Sequence, residues 1–149
     1  MTLHIGADLL QEVEHYLEAG YPEEVAGLLL GEVNGQERQA IELVQTINSF
    51  DPAARARRYQ MDPKDMLAAE EQAERLGLDV IGVFHSHPDH PSRPSDFDLR
   101  WALPWYDYLI TRVTREGAGD SRAWRLAEDR SQFVEVPIVV DAVQTEANS

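Results

Sequence analysis

The sequence predicts one α/β domain built in three layers, a mixed sheet flanked by helices on its faces. Three observations carry that prediction. The 149-residue length suits a single domain with a real core. Strand-like runs are interleaved both with helical periodicities and with hairpin signals. No internal repeat, low-complexity tract or linker divides the chain, so residues 1–140 are read as one domain and 141–149 as a disordered tail.

Residues 7–19 place Leu9, Leu10, Val13, Tyr16 and Leu17 on one stripe and end at Gly20 before Pro22, the pattern of an amphipathic helix. An apolar run from Glu24 to Val33 reads as a strand, Asn34-Gly35 as a hairpin turn, and Arg38 to Thr46 as its return. Glu24 would then stand at a strand entry, its carboxylate projecting into a cleft without being buried. Residues 48–58 read as a loop with Arg55, Arg57 and Arg58, a local positive spot that either clamps a partner's carboxylate or is simply solvated. Tyr59 to Met61 reads as a short strand. Asp62-Pro63 opens a helix lined by Met66, Leu67, Ala69, Ala73 and Leu76 and closed at Gly77.

Val80 to Phe84 is a buried-looking strand, and Ser95 to about Ala102 a short helix stopped by Pro104. Tyr108 to Thr114 and Arg122 to Ala127 read as paired strands around a glycine-containing turn at 116–120. Phe133 to Val140 reads as one last strand, with Pro137 arguing for an edge position or a strand end. Trp101, Trp105 and Trp124 are expected in core or rim packing, as large aromatics mostly supply buried area.

Composition narrows the chemistry. The chain has no cysteine, which excludes disulfides, thiolate metal sites and a cysteine nucleophile. Its net charge of −14, with Lys64 its one lysine, disfavours nucleic acid and anionic membrane as partners. Such an acid-rich, lysine-poor surface also suggests a high-salt habitat. With no basic segment before an apolar core at the N-terminus and no apolar run of membrane-spanning length, the expected location is cytoplasmic.

The chemistry concentrates in residues 80–98. In an extended chain His85 and His87 point to one face and Ser86 to the other, so two imidazoles can grip one ion. Zinc takes neutral imidazole and carboxylate and commonly keeps three protein ligands with one open position when catalytic; Asp98 is the third candidate. Iron or manganese fits the same donors. A plainer account of Ser95 and Asp98 is a helix cap, since Ser with an acid three residues later resembles a capping box. Ser86 faces away from any ion, His90 lies in the ligand loop, and His4 and His15 belong to no motif.

The run His85-x-His87, seven residues, Ser95, two residues, Asp98 resembles the JAMM signature of the MPN+ metalloprotease family in residue type and in every spacing. Upstream, Pro22-Glu23-Glu24-Val25-Ala26-Gly27-Leu28-Leu29 is similar to that family's Pro-x-Glu-x-x-Gly-Leu-Leu context, which singles out Glu24 over Glu23. The segment Tyr59 to Pro63 also looks like its bacterial single-domain members. The resemblance implies a cytidine-deaminase-like α/β architecture and one zinc on His85, His87 and Asp98. It further implies Glu24 as the acid-base residue and Ser95 as an oxyanion donor. The implied activity is hydrolysis of amide or isopeptide bonds after the Gly-Gly tail of a ubiquitin-like or sulfur-carrier protein. Peptidase action on ordinary short peptides and a non-catalytic scaffold role are the alternatives. Nucleobase deamination is disfavoured, because its cysteine ligands are missing.

Overall fold

The computed structural model describes residues 1–56 and 58–142. Its elements are β1 (Thr2–Gly6), α1 (Ala7–Gly20), β2 (Ala26–Asn34), β3 (Glu37–Gln45), a 3-10 turn (Pro52–Ala54), α2 (Pro63–Leu76), β4 (Asp79–Pro88), α3 (Asp96–Trp101), β5 (Asp107–Thr114), β6 (Gly117–Leu126), β7 (Phe133–Val136) and β8 (Ile138–Asp141). All eight strands form one mixed sheet in the order β7-β6-β5-β4-β2-β3-β1-β8.

Local chemistry accounts for most boundaries. The α2 helix starts where the Asp62 carboxylate accepts the Lys64 N–H, with Pro63 in its first turn, and stops at Gly77 in the left-handed conformation. Gly35, at φ 65°, forms the β2–β3 turn, a conformation that suits glycine. Among the described residues no helix is long and apolar enough to cross a membrane.

The outermost strands of the order, β7 and β8, are separated in sequence by Pro137 alone. The sheet must therefore curl until its two edges approach, and the Leu3 N–H donates to the Pro137 carbonyl at 2.9 Å across that seam. The 133–140 run expected as one strand is thus two: proline cannot donate to a ladder, and the chain changes partner there, from β6 to β1. Inside the curl lies α1, whose Leu9, Val13 and Leu17 pack against Leu3, Ile5, Leu109 and Val136. On the other face, Ala69 and Ala73 of α2 cover Leu28, Leu30, Val80 and Val83. Each fully buried aliphatic side chain contributes roughly 1.5–3 kcal/mol. The three-layer α/β reading therefore describes this protein, with the middle layer curled around one helix.

A bulge in β4 positions the site. Leu29 pairs with Gly82 but Leu30 with Val80, leaving Ile81 as the extra residue. Val80 and Val83 therefore both face α2, while Ile81 and Phe84 face α1. From Val83 onward strict alternation carries His85 and His87 to the α2 and α3 side. Gly82 permits the close approach of β5, because a Cβ there would meet the Asp107 carbonyl oxygen at 2.6 Å.

Other differences from the sequence reading are local. Residues 59–61 pair with no strand; the Ser49 N–H and hydroxyl hold the Gln60 carbonyl instead. The β5–β6 turn is at 115–116, and β6 begins at Gly117, inside the stretch read as a turn, because a register shift near Val113 admits the glycines to the ladder. The last strand ends at Asp141, and the rest of the expected tail, from residue 143, lies outside the described residues.

Candidate metal centre and active site

Three segments deliver the site. The end of β4 supplies His85 and His87, the first turn of α3 supplies Asp98 behind Ser95, and the segment before β2 supplies Glu24. The capping expectation for α3 is met in full. The Asp98 N–H donates to Ser95 Oγ at 3.0 Å, and the Ser95 N–H donates to Asp98 Oδ2 at 2.8 Å. That box does not compete with a chemical role. Ser95 uses a lone pair as the cap, so its hydroxyl hydrogen is left to donate elsewhere.

Glu24 is buried and stands beside the two histidines, whereas Glu23 is exposed. The strand-entry expectation placed Glu24 without burial; the structure corrects it, because β2 begins only at Ala26 and the preceding loop is folded inward. Its backbone N–H donates to the Arg55 carbonyl at 2.6 Å, and its carbonyl accepts from Asn48 Nδ2 at 2.9 Å. Asn48 also takes the N–H groups of Phe50 and Gln60, so one amide side chain ties three backbone segments together. Ser86, on the far face of β4, accepts the Val25 N–H at 2.9 Å through Oγ and donates its own N–H to the Val25 carbonyl. It pins the Glu24 segment to the histidine strand. Asn48 does not stand out in the sequence; Ser86 is read there as facing away from the histidines, and this tie is what it does on that face.

One carboxylate oxygen of Glu24 and one nitrogen from each of His85 and His87 all lie within 4.8 Å of one another. Asp98 joins them, with Oδ2 3.1 Å from His87 Nε2 and Oδ1 3.6 Å from His85 Nε2. His85 Nε2 and His87 Nε2 are themselves 3.2 Å apart. His87 Nδ1–H donates to the Pro91 carbonyl at 2.8 Å, which fixes the tautomer and turns the Nε2 lone pair into the cluster. With both imidazoles neutral, these contacts set lone pairs towards one shared point where a cation could sit. The donor set of imidazole nitrogens and carboxylate oxygens therefore fits a metal ion, and the Glu24, His85, His87 group could hold one.

Electrostatics follow the burial. Burial pushes Glu24 up to about 8, against the opposing charges of His87 and Arg58 and with help from Asp98. The desolvation of His85 holds it below its ordinary value. Burial would also lower His87, but hydrogen bonding and charge from Asp98, then the Pro91 carbonyl, raise it instead. For Asp98 burial is outweighed by His85, His87 and the Ser95 N–H, which hold it well below the usual carboxylate range.

The surroundings are aromatic on one side and cationic on the other. The half-buried Tyr59 ring lies 4.6 Å from the His85 ring. An apolar cavity of about 440 Å³ runs from Asp98 past Tyr59, Met61, Phe97, Trp101 and Tyr108. A second, of about 660 Å³, contains Glu24, His87 and Ser95 with Arg58, His90 and Arg93 at its mouth. His90 thus reaches the rim, exposed, whereas His4 pairs with Glu37 at 2.9 Å on β1. Trp124 donates to the Ser92 carbonyl at 3.0 Å and steadies the ligand loop. Trp101, 66% exposed, lines the apolar cavity, whereas Trp105, 52% exposed, lies against Arg38 away from both cavities.

A family model described as prokaryotic homologs of the JAB domain matches residues 6–127. The chain is 34% identical over 138 residues to the desampylase of Pyrococcus furiosus, covering 86% of this chain and 88% of that protein. It is 36% identical over 106 residues to the Lys-63-specific deubiquitinase BRCC36 of Xenopus tropicalis, covering 66% of this chain and 40% of that longer protein. A solution structure of a protein from Salinibacter ruber, 38% identical, superposes with a TM-score of 0.73 over 95% of this chain and 92% of that one.

Proposed function

The chain belongs to the family of prokaryotic homologs of the JAB domain, and from that premise we propose that it is a zinc metallopeptidase. Its substrate is the amide or isopeptide bond after the Gly-Gly tail of a ubiquitin-like or sulfur-carrier protein. The observation that carries this reading is the convergence of Glu24, His85 and His87 within 4.8 Å, beside Asp98. Relatives named desampylase and deubiquitinase support the substrate class.

His85, His87 and Asp98 would hold the ion. Bound there, zinc would supply Lewis acidity towards the attacking water and the scissile carbonyl. Glu24 is the proton carrier: its carboxylate accepts a proton from the attacking water and releases it to the leaving nitrogen. Burial raises that carboxyl above the usual carboxylate range and so favours its holding a proton between the two transfers. The Ser95 hydroxyl hydrogen, free of the cap, donates to the oxygen on which negative charge develops. The apolar cavity beside Phe97 receives the tail. We also take residues 1–140 as one domain, since a single sheet joins β1 to β8, and the cytoplasm as its location.

The test is a panel of fusions, some joined through a Gly-Gly tail and others through unrelated linkers, each incubated with zinc-loaded and chelated protein. Cleavage confined to the Gly-Gly fusions and dependent on metal is the expected result. Metal-dependent cleavage without regard to the tail would leave a general peptidase.

A further inference from the structure

We infer that Ser92, gripped by Asp120 and Trp124 of β6, is a positioning residue: it sets the Pro91 carbonyl that aims His87 at the ion. This rests on the metal centre proposed above and extends it to a strand that supplies no ligand.

Residues 89–95 are neither helix nor strand, so no ladder fixes the direction of their backbone groups. One of those groups nevertheless has an exacting task. The Pro91 carbonyl accepts His87 Nδ1–H at 2.8 Å, and that bond leaves Nε2 as the nitrogen facing the cluster. Proline fixes φ at Pro91 but not where its carbonyl points. That direction belongs to the peptide Pro91 shares with Ser92.

Ser92 is held at both ends. It is 2% exposed, and among the described residues of the loop from Asp89 to Ser95 it alone is buried. A buried hydroxyl needs a partner, and Ser92 Oγ donates to Asp120 Oδ2 at 2.6 Å, a bond strengthened by the carboxylate charge. The Ser92 carbonyl accepts from Trp124 Nε1 at 3.0 Å. Asp120, Arg122 and Trp124 alternate along β6 and so share one face. Arg122 Nε donates to the same Asp120 oxygen at 2.9 Å and reaches Glu135 of β7 at 3.7 Å, which holds the carboxylate in place.

The contacts close a ring. His87 pairs with Arg112 of β5, β5 pairs with β6, and β6 returns through Asp120, Ser92 and the Pro91 carbonyl to the imidazole of His87. The loop has a second tether that lies outside this ring. Tyr21 donates its hydroxyl to Asp89 Oδ2 at 2.8 Å, and the Asp89 N–H donates to the Val113 carbonyl. It holds the start of the loop and does not touch the peptide that meets His87, so it serves as an internal control.

The test compares Ser92→Ala, Asp120→Ala, Asp120→Asn and Tyr21→Phe with wild type. Co²⁺ affinity is read by competition with a chelator, ligand geometry by the visible spectrum of the Co²⁺ form, and the His87 Nδ1–H bond by its hydrogen exchange in zinc-loaded protein. Ser92→Ala and Asp120→Ala should weaken Co²⁺ binding by about tenfold, the lower end for an outer partner of a ligating histidine. Both should also alter the spectrum and speed the exchange. Asp120→Asn, which keeps an acceptor oxygen, should lose less, and Tyr21→Phe should match wild type in all three readings. Asp120 is exposed, so its replacement leaves a folded protein to measure even if Ser92→Ala does not. Affinity, spectrum and exchange unchanged in Asp120→Ala would overturn the inference while leaving the metal centre intact. A loss in Tyr21→Phe equal to that in Asp120→Ala would overturn it too, by assigning the effect to the loop as a whole. A wild type that binds neither Co²⁺ nor Zn²⁺ would overturn the metal centre itself, and this inference with it.

Discussion

At the Gly82 end of β4, Asp107 is fully buried and matched. Arg125 reaches its two oxygens at 2.6 and 3.0 Å, Gln36 takes a further Arg125 nitrogen, and Arg38 donates to the Ile81 carbonyl at the bulge. Arg38 Nε is the one side-chain atom of that group left buried without a partner. At the Pro88 end, Glu24, His85, His87 and Asp98 bring imidazole nitrogens and carboxylate oxygens together, with His87 Nδ1 and Asp98 Oδ2 tied down by backbone groups and His85 Nδ1 buried without a partner. One cluster closes on itself, and the other could hold a cation. The same strand thus carries a structural ion pair and a chemical site, and charge balance tells them apart.

Mutations should separate the two ends. Glu24→Gln is expected to lower kcat by about 10²–10⁴-fold while metal content and thermal midpoint hold, read by steady-state kinetics and metal analysis. Asp107→Ala should act on the fold instead. It leaves two guanidinium groups short of their counter-charge, and urea unfolding should report a loss of about 3–5 kcal/mol with metal affinity unchanged in the folded protein. A folded Asp107→Ala protein that had lost its metal would break the comparison.

Ser95 stands on both sides of the division. Ser95→Ala should reduce kcat by about 100-fold through the lost donor and lower stability by about 1 kcal/mol through the lost cap. Ser95→Asp should recover the stability without the rate. Equal recovery of both would assign Ser95 to the cap alone.

The smallest effect lies away from both clusters. Hydrogen bonds from His4 and the N-terminal amine draw Glu37 down to about 2. A carboxylate with a folded value below its unfolded one stabilises the protein above the unfolded value of about 4.3, and that contribution fades as pH falls towards 2. Glu37→Gln should therefore lower the thermal midpoint slightly at pH 6 and leave it unchanged at pH 2.

How much the sequence disclosed follows the same line between local and distant causes. The helix at 7–19, the Asn34-Gly35 turn and the Asp62 and Gly77 caps are written in neighbouring residues, and each was legible. So was the grouping of His85, His87, Ser95 and Asp98, because they sit within one short run. The burial of Glu24 was not, since Asn48 and Arg55 fold its segment inward from elsewhere in the chain. The exchange of sheet edges at Pro137 was signalled by the proline, but its partners on β1 and β6 are set by the curl of the whole sheet. The bulge at Ile81 left no mark in the apolar run that contains it.

The central claim, that the acceptor-rich end of β4 is a metal-dependent active site, is tested most directly by metal analysis and Gly-Gly-fusion hydrolysis in the same samples of wild type and His87→Ala. The account predicts near-stoichiometric zinc and cleavage in wild type, and the loss of both together in a variant that remains folded. Full activity in wild-type protein stripped of metal, or in a metal-free His87→Ala, would contradict it.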